Sequence, residues 1–129
     1  MKIEGEAVPD FLDRVLDALE TLLEEDPPGS VEDRSLFALA LSEITTNVIE
    51  HSAPADAVQV TVELCASPVA LQATVSDTAP PVSLDLGSTT MPGADLESGR
   101  GLALARAVLS DFSHEARTAG NVWHLRREL

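Results

Sequence analysis

Ala40-Leu41-Ser42-Glu43-Ile44-Thr45-Thr46-Asn47-Val48-Ile49-Glu50-His51 reads as an apolar helix interrupted by a carboxylate and an amide. Leu36, Phe37, Ala40, Leu41, Ile44, Val48 and Ile49 recur at helical spacing and form a wide apolar stripe. The pattern predicts a helix over Val31–His51. Ser30 offers its N-cap, Glu32 and Asp33 place acids in the first turn where the helix dipole favours them, and Pro54 stops it. Glu43 and Asn47 are four apart and share one face, and His51 continues the line. A carboxylate one turn from an amide oxygen can hold Mg²⁺, or can pair a general base with a metal ligand. Taken alone, the pair also fits an ordinary polar helix edge.

Two amphipathic patterns lie outside this helix. On its N-terminal side, Lys2–Ala7 is a short candidate strand, and Pro9–Glu25 carries Phe11, Leu12, Val15, Leu16, Leu19, Leu22 and Leu23 at helical spacing. Asp10, Asp13, Asp17, Glu20 and Glu24 fill the other face as a solvated surface, and Pro27, Pro28 and Gly29 end the helix. On its C-terminal side, Val58, Val60, Val62 and Leu64 alternate with polar residues over Ala57–Ala66. Leu71, Ala73 and Val75 do the same over Val69–Asp77, with Ser67-Pro68 as the turn. A last hairpin is expected from Ser113–Arg117 to Asn121–Arg127 across Thr118-Ala119-Gly120, with Trp123 and Leu125 facing the core. Strands with one apolar face call for helices on that face alone. The expected fold is an α+β two-layer sandwich with a mixed, mainly antiparallel sheet and helices on one face, built as one domain over residues 1–129.

Two further segments stand out. Asp77 leaves a half-buried strand for a proline-rich stretch, where a carboxylate can accept a hydrogen bond from an exocyclic amine or form an Asx turn. Thr78–Ser98 has no periodicity and contains Pro80, Pro81 and Pro92, which suits a functional lid. Glu97-Ser98-Gly99-Arg100-Gly101-Leu102 then sits at an expected loop-to-helix junction, with helix from about Gly101 to Asp111. Glycines there let backbone N–H groups approach an anion. No parallel strand precedes this segment and a third glycine is missing, so it does not fit the dinucleotide fingerprint.

The bulk composition narrows the field. A net charge of −14 over 129 residues disfavours nucleic acid and anionic membranes as partners. No Lys or Arg occurs between Arg34 and Arg100, so a phosphate bound there must rely on backbone N–H groups, a helix N-terminus or a metal ion. The lone Cys65 excludes an internal disulfide and a site built on paired cysteines, and is expected to be inert. No apolar run approaches the roughly 18 residues of a membrane span, and MKIEGEAVPD lacks the features of a secretory leader, so a cytoplasmic protein is expected. His51, His114 and His124 stand apart and read as ordinary surface or edge histidines. There is no metalloprotease-like His spacing and no Ser/His/Asp pattern.

The acid-and-Asn helix, the Asp at a strand end and the glycine pair opening a helix come in an order that resembles the nucleotide-binding boxes of the GHKL superfamily. Spacing and size are most similar to anti-sigma-factor serine kinases of the RsbW/SpoIIAB type. The resemblance spans roughly Ser35 to Leu129 and rests on Ala40–His51, on Gly99–Arg106, and on Gly120-Asn121-Val122-Trp123 as the last strand. It implies a Bergerat, histidine-kinase-like ATPase fold that binds ATP and Mg²⁺. Asn47 would be the metal ligand and Glu43 the general base that takes the proton from a partner's serine. Asp77 would read the adenine amine, aided by Ala79, and Gly99, Arg100, Gly101 and Leu102 would border the phosphates. It further implies a sigma factor and a STAS-type anti-anti-sigma protein as partners, and a homodimer. One position departs from the family: two residues after the Asp, where glycine is usual, stands Ala79, followed by Pro80 and Pro81. Alanine does not readily take φ > 0 and proline has no N–H. Two other readings therefore stand beside the kinase: a non-catalytic binding module of the same fold, and a detached ATPase domain of a histidine kinase.

Overall fold

The computed structural model describes residues 1–50, 58–80 and 96–129, the side chains of 96–100 excepted. The described elements run β1 (Lys2–Glu6), α1 (Pro9–Leu23), α2 (Val31–Glu50), β2 (Gln59–Ala66), β3 (Ala70–Asp77), α3 (Leu96–Val108), β4 (Asp111–Arg117) and β5 (Gly120–Glu128). The strands form one sheet in the order β1-β2-β3-β5-β4. Every described pairing is antiparallel, so the expected mixed, mainly antiparallel sheet is here antiparallel throughout the described residues.

Register explains why the sheet has one apolar face. Ile3, Val62, Val75, Trp123 and His114 lie in one cross-strand rank. Leu64, Ala73, Leu125 and Phe112 form the next rank. Directly opposed residues share a face, so the period-2 alternation of each strand adds into a continuous apolar surface. The helices cover it: α1 packs on β1 and β2, α2 on β3 and β5, and α3 on α2 and β4. Phe11, Val15 and Leu19 from α1 and Phe37, Leu41 and Ile44 from α2 bury against Val62, Val75 and Leu125 in one cluster. The other sheet face carries Thr61, Glu63, Thr74, His124 and Arg126, and the exposed Cys65 lies there.

The ends of the elements follow local chemistry. Pro9 opens α1, where its missing N–H would have no partner in any case. At the start of α2, the Asp33 N–H donates to Ser30 Oγ at 3.0 Å, and the Ser30 N–H and hydroxyl donate to Asp33 Oδ2 at 3.1 and 3.0 Å. This is a capping box with Asp in the usual Glu position. Arg127 Nε and Nη2 reach the other oxygen, Asp33 Oδ1, at 3.1 and 2.9 Å, and Arg127 Nη1 donates to the Val108 carbonyl. One arginine at the end of β5 thus ties the start of α2 to the end of α3.

Both ends of α3 and the start of β4 differ most from the sequence expectation. Helix α3 starts at Leu96, not at about Gly101, and ends at Val108, not at Asp111. Asp111 and Phe112 instead begin β4, whose ladder runs from Asp111↔Arg126 to Arg117↔Gly120. Phe112 is half-buried and stacks beside Trp123 at 6.1 Å between centroids, and this packing draws the chain into the sheet two residues earlier than Ser113.

Candidate functional site

Helices α2 and α3 pack together, and this contact joins two of the segments singled out in the sequence. A Cβ added to Gly101 would lie 2.6 Å from Glu43 Oε2 and 3.5 Å from Glu43 Cδ. The Glu43 carboxylate thus occupies the space that a side chain at position 101 would fill. Asn47 lies one turn further along the same face of α2. Its Oδ1 is buried and has no hydrogen-bond partner among the described residues. A buried amide oxygen without a donor costs about 1–3 kcal/mol, and a ligand that supplied a partner would relieve that cost. Thr45 Oγ1 and Trp123 Nε1 are also buried without a partner among the described residues, and nothing there accounts for those two.

The donor set suits Mg²⁺ bound through phosphates. Among the described residues no group of three His, Cys, Asp or Glu converges on a point. An all-protein metal cage is thus not offered there. A single oxygen ligand is what Mg²⁺ uses when phosphates and water supply the rest.

Asp77 closes β3 with its side chain on the inner face, only 9% exposed. Its Oδ1 accepts from the Ala79 N–H at 2.9 Å and from Asn121 Nδ2 at 3.0 Å. The first of these bonds is the Asx turn that the sequence offered as an alternative to base recognition. It uses only one oxygen, and Oδ2 takes part in no hydrogen bond among the described residues. Both readings of Asp77 are therefore compatible. No described residue other than glycine has positive φ, so Ala79 adopts an ordinary backbone conformation. At Gly120, φ is +152° and an added Cβ would stand 2.1 Å from the Asp77 carbonyl oxygen. Only glycine lets β5 approach the end of β3 this closely.

The glycine box needs a correction. Because α3 begins at Leu96, Gly99, Arg100 and Gly101 lie in its first two turns, not at a loop-to-helix junction. In a helix whose first residue is Leu96, the first intrahelical hydrogen bond is donated by the fourth residue, Gly99, so the N–H groups of Gly99, Arg100 and Gly101 are all taken by the helix. The Leu102 side chain is 5% exposed and belongs to the core, so it can border a ligand only through its backbone. The Arg100 side chain, His51 and residues 81–95, with most of the expected lid, lie outside the described residues.

Two residues of this neighbourhood were not assigned a role in the sequence. Asn121 is 4% exposed and bridges Asp77 to β5. His114, expected to be an ordinary edge histidine, is half-buried with Nε2 3.0 Å from Asn121 Oδ1. The available signal was a polar residue at an inward position: Asn121 and His114 fall in step with Trp123 and Phe112, not with the solvent-facing residues. His124 matches expectation, exposed on the outer face 3.7 Å from the Glu115 carboxylate.

The histidine kinase-like ATPase domain family matches residues 6–127, and the chain belongs to that family. Solved structures agree on the fold. The RsbU and RsbW domains of Rv1364c from Mycobacterium tuberculosis are 21% identical, with a TM-score of 0.66 over 99% of this chain and 32% of that one. The histidine kinase domain of a blue-light activated histidine kinase from Erythrobacter litoralis EL346 is 18% identical, with a TM-score of 0.57 over 93% of this chain and 60% of that one. The mycobacterial sensor histidine kinase MprB is also 18% identical, with a TM-score of 0.56 over 98% and 97%. The chain thus spans less than two thirds of the first two structures. No curated protein matches it significantly. No described helix is long and apolar enough to cross a membrane.

Proposed function

We propose that the chain binds ATP with Mg²⁺ between α2 and α3 and transfers the γ-phosphoryl group to a serine of a STAS-type anti-anti-sigma protein. The same domain would sequester a sigma factor, as a cytoplasmic homodimer. The observation that supports this most is Asn47 Oδ1, buried and unpartnered one helical turn from a carboxylate seated against Gly101. When bound, Mg²⁺ neutralises charge on the phosphates and orients them. Asn47 would hold it through Oδ1. Glu43 would accept the proton of the incoming serine hydroxyl, and Asp77 Oδ2 would accept a hydrogen bond from the adenine amine. The Ala79 backbone would border the base, and the backbone from Gly99 to Leu102 the phosphates. Incubation with labelled ATP and STAS proteins of the same genome tests the reading. Glu43→Ala should keep ATP affinity and lose phosphotransfer, because positioning and proton removal are separable. Normal transfer by Glu43→Ala would refute the assigned role.

A second reading, a non-catalytic module that holds a regulator, is favoured by Ala79-Pro80 beside the base-reading Asp and by the helical state of Arg100 and Gly101. Calorimetry separates the two: absence of heat and of a thermal shift at millimolar Mg-ATP selects the module.

A further inference from the structure

We infer that His114 and Asn121 are positioning residues for nucleobase selection: they lock the Asp77 carboxylate with one oxygen saturated and the other open to a donor. This rests on the nucleotide-binding reading above. Asn121 Nδ2 contacts two groups, Asp77 Oδ1 at 3.0 Å and the Pro80 carbonyl at 3.2 Å. A carboxylate and a backbone carbonyl only accept, so the amide nitrogen must face them, and its two hydrogens match the two acceptors. The orientation of Asn121 follows from this chemistry without reference to hydrogens. Its Oδ1 then faces His114 Nε2 at 3.0 Å. An amide oxygen only accepts, so Nε2 must carry a proton, which it does in the Nε2–H tautomer and in the imidazolium alike. Trp123 holds the imidazole in place, with ring centroids 4.4 Å apart.

The chain of contacts has a consequence at Asp77. Oδ1 already accepts from Ala79 and Asn121, which leaves Oδ2 as the acceptor available to a ligand. A base that presents an amine there gains a charge-assisted hydrogen bond, whereas a base that presents a carbonyl meets a fixed negative charge. Asn121 also ties down Pro80, where the neighbouring prolines provide no N–H of their own. The selectivity of the site therefore depends on two residues that touch no ligand.

The test is calorimetric titration of the full chain with Mg-ATP and Mg-GTP. Asn121→Leu should weaken ATP about tenfold and leave GTP unchanged, the size expected for one misplaced charged hydrogen bond. His114→Leu should lower the ATP-to-GTP preference about threefold or more, and His114→Gln, which restores a donor, should hold it within about twofold of the parent. The His114 pair decides the matter if Asn121→Leu does not fold. The inference is overturned if ATP and GTP affinities move together in every variant, or if His114→Gln loses as much preference as His114→Leu. A parent protein that binds neither nucleotide would instead remove the nucleotide-binding reading, and this inference with it.

Discussion

Gly101→Ala separates packing from propensity with opposite signs. Gly101 is the sixth residue of α3, inside the helix, where replacing glycine by alanine ordinarily stabilises by about 1 kcal/mol. Here the new methyl would stand 2.6 Å from Glu43 Oε2, about 0.8 Å short of the 3.4 Å at which ordinary contact begins. The offending atom is the far end of a flexible side chain, so Glu43 turns away at about 0.5–1.5 kcal/mol of rotamer strain. The two effects nearly cancel, and the melting temperature of Gly101→Ala should stay within about 3 °C of the parent. With Glu43→Ala already in place, the clash is gone and Cβ of residue 43 stands at an ordinary contact distance of 3.6 Å, so the same substitution should raise stability by the full amount, about 1 kcal/mol or about 4 °C. Denaturant titration of the four proteins gives a coupling energy of about 0.5–1.5 kcal/mol. Additivity within about 0.3 kcal/mol would mean that Gly101 does not abut Glu43, and the joining of the two segments would be refuted. If Glu43 is the general base proposed above, phosphotransfer supplies a second readout: its displacement by about 1 Å should cost about 100-fold in rate at unchanged ATP affinity.

Gly120→Ala should cost about 2–5 kcal/mol in chemical denaturation, because φ of +152° and a backbone oxygen 2.1 Å from the new Cβ leave nothing soft to move. Trp123→Ala, emptying a 2%-exposed site on the inner strand β5, should cost about 3–5 kcal/mol in the same assay. Asp33 is held below its ordinary value of 3.8 by the hydrogen bond from the Ser30 N–H first, then by Arg127 and the Ser30 hydroxyl. Its contribution to stability is fully present above that ordinary value and is lost as pH falls through the lowered one, so Asp33→Asn should flatten the acid limb of a melting-temperature profile below about pH 4.

Much of this architecture is written in short-range pattern. The stripe of α1, the alternation of β2 and β3 and the Ser30 N-cap each lie within a few residues of chain, and each is present as expected. Glu43 and Asn47 were legible because helical spacing alone puts them on one face. The early start of α3 was not, since Ser98, Gly99 and Gly101 are poor helix formers and packing against α2 overrides them. Nor was the network at Asp77, whose bond to Asn121 spans 44 residues of chain and depends on β5 pairing with β3 in one register. A one-residue slip would have turned Asn121 and His114 to the other face.

The proposed site turns on Asn47 Oδ1, the buried amide oxygen on α2 that would meet a metal-bound triphosphate. Titration of ATP with Mg²⁺ and with a chelator, into the parent and into Asn47→Leu, tests it most directly. The parent should bind ATP only with Mg²⁺. Asn47→Leu should bind in neither condition and should melt higher than the parent, since a buried acceptor without a donor is gone. Mg²⁺-dependent binding that survives in Asn47→Leu would contradict the account.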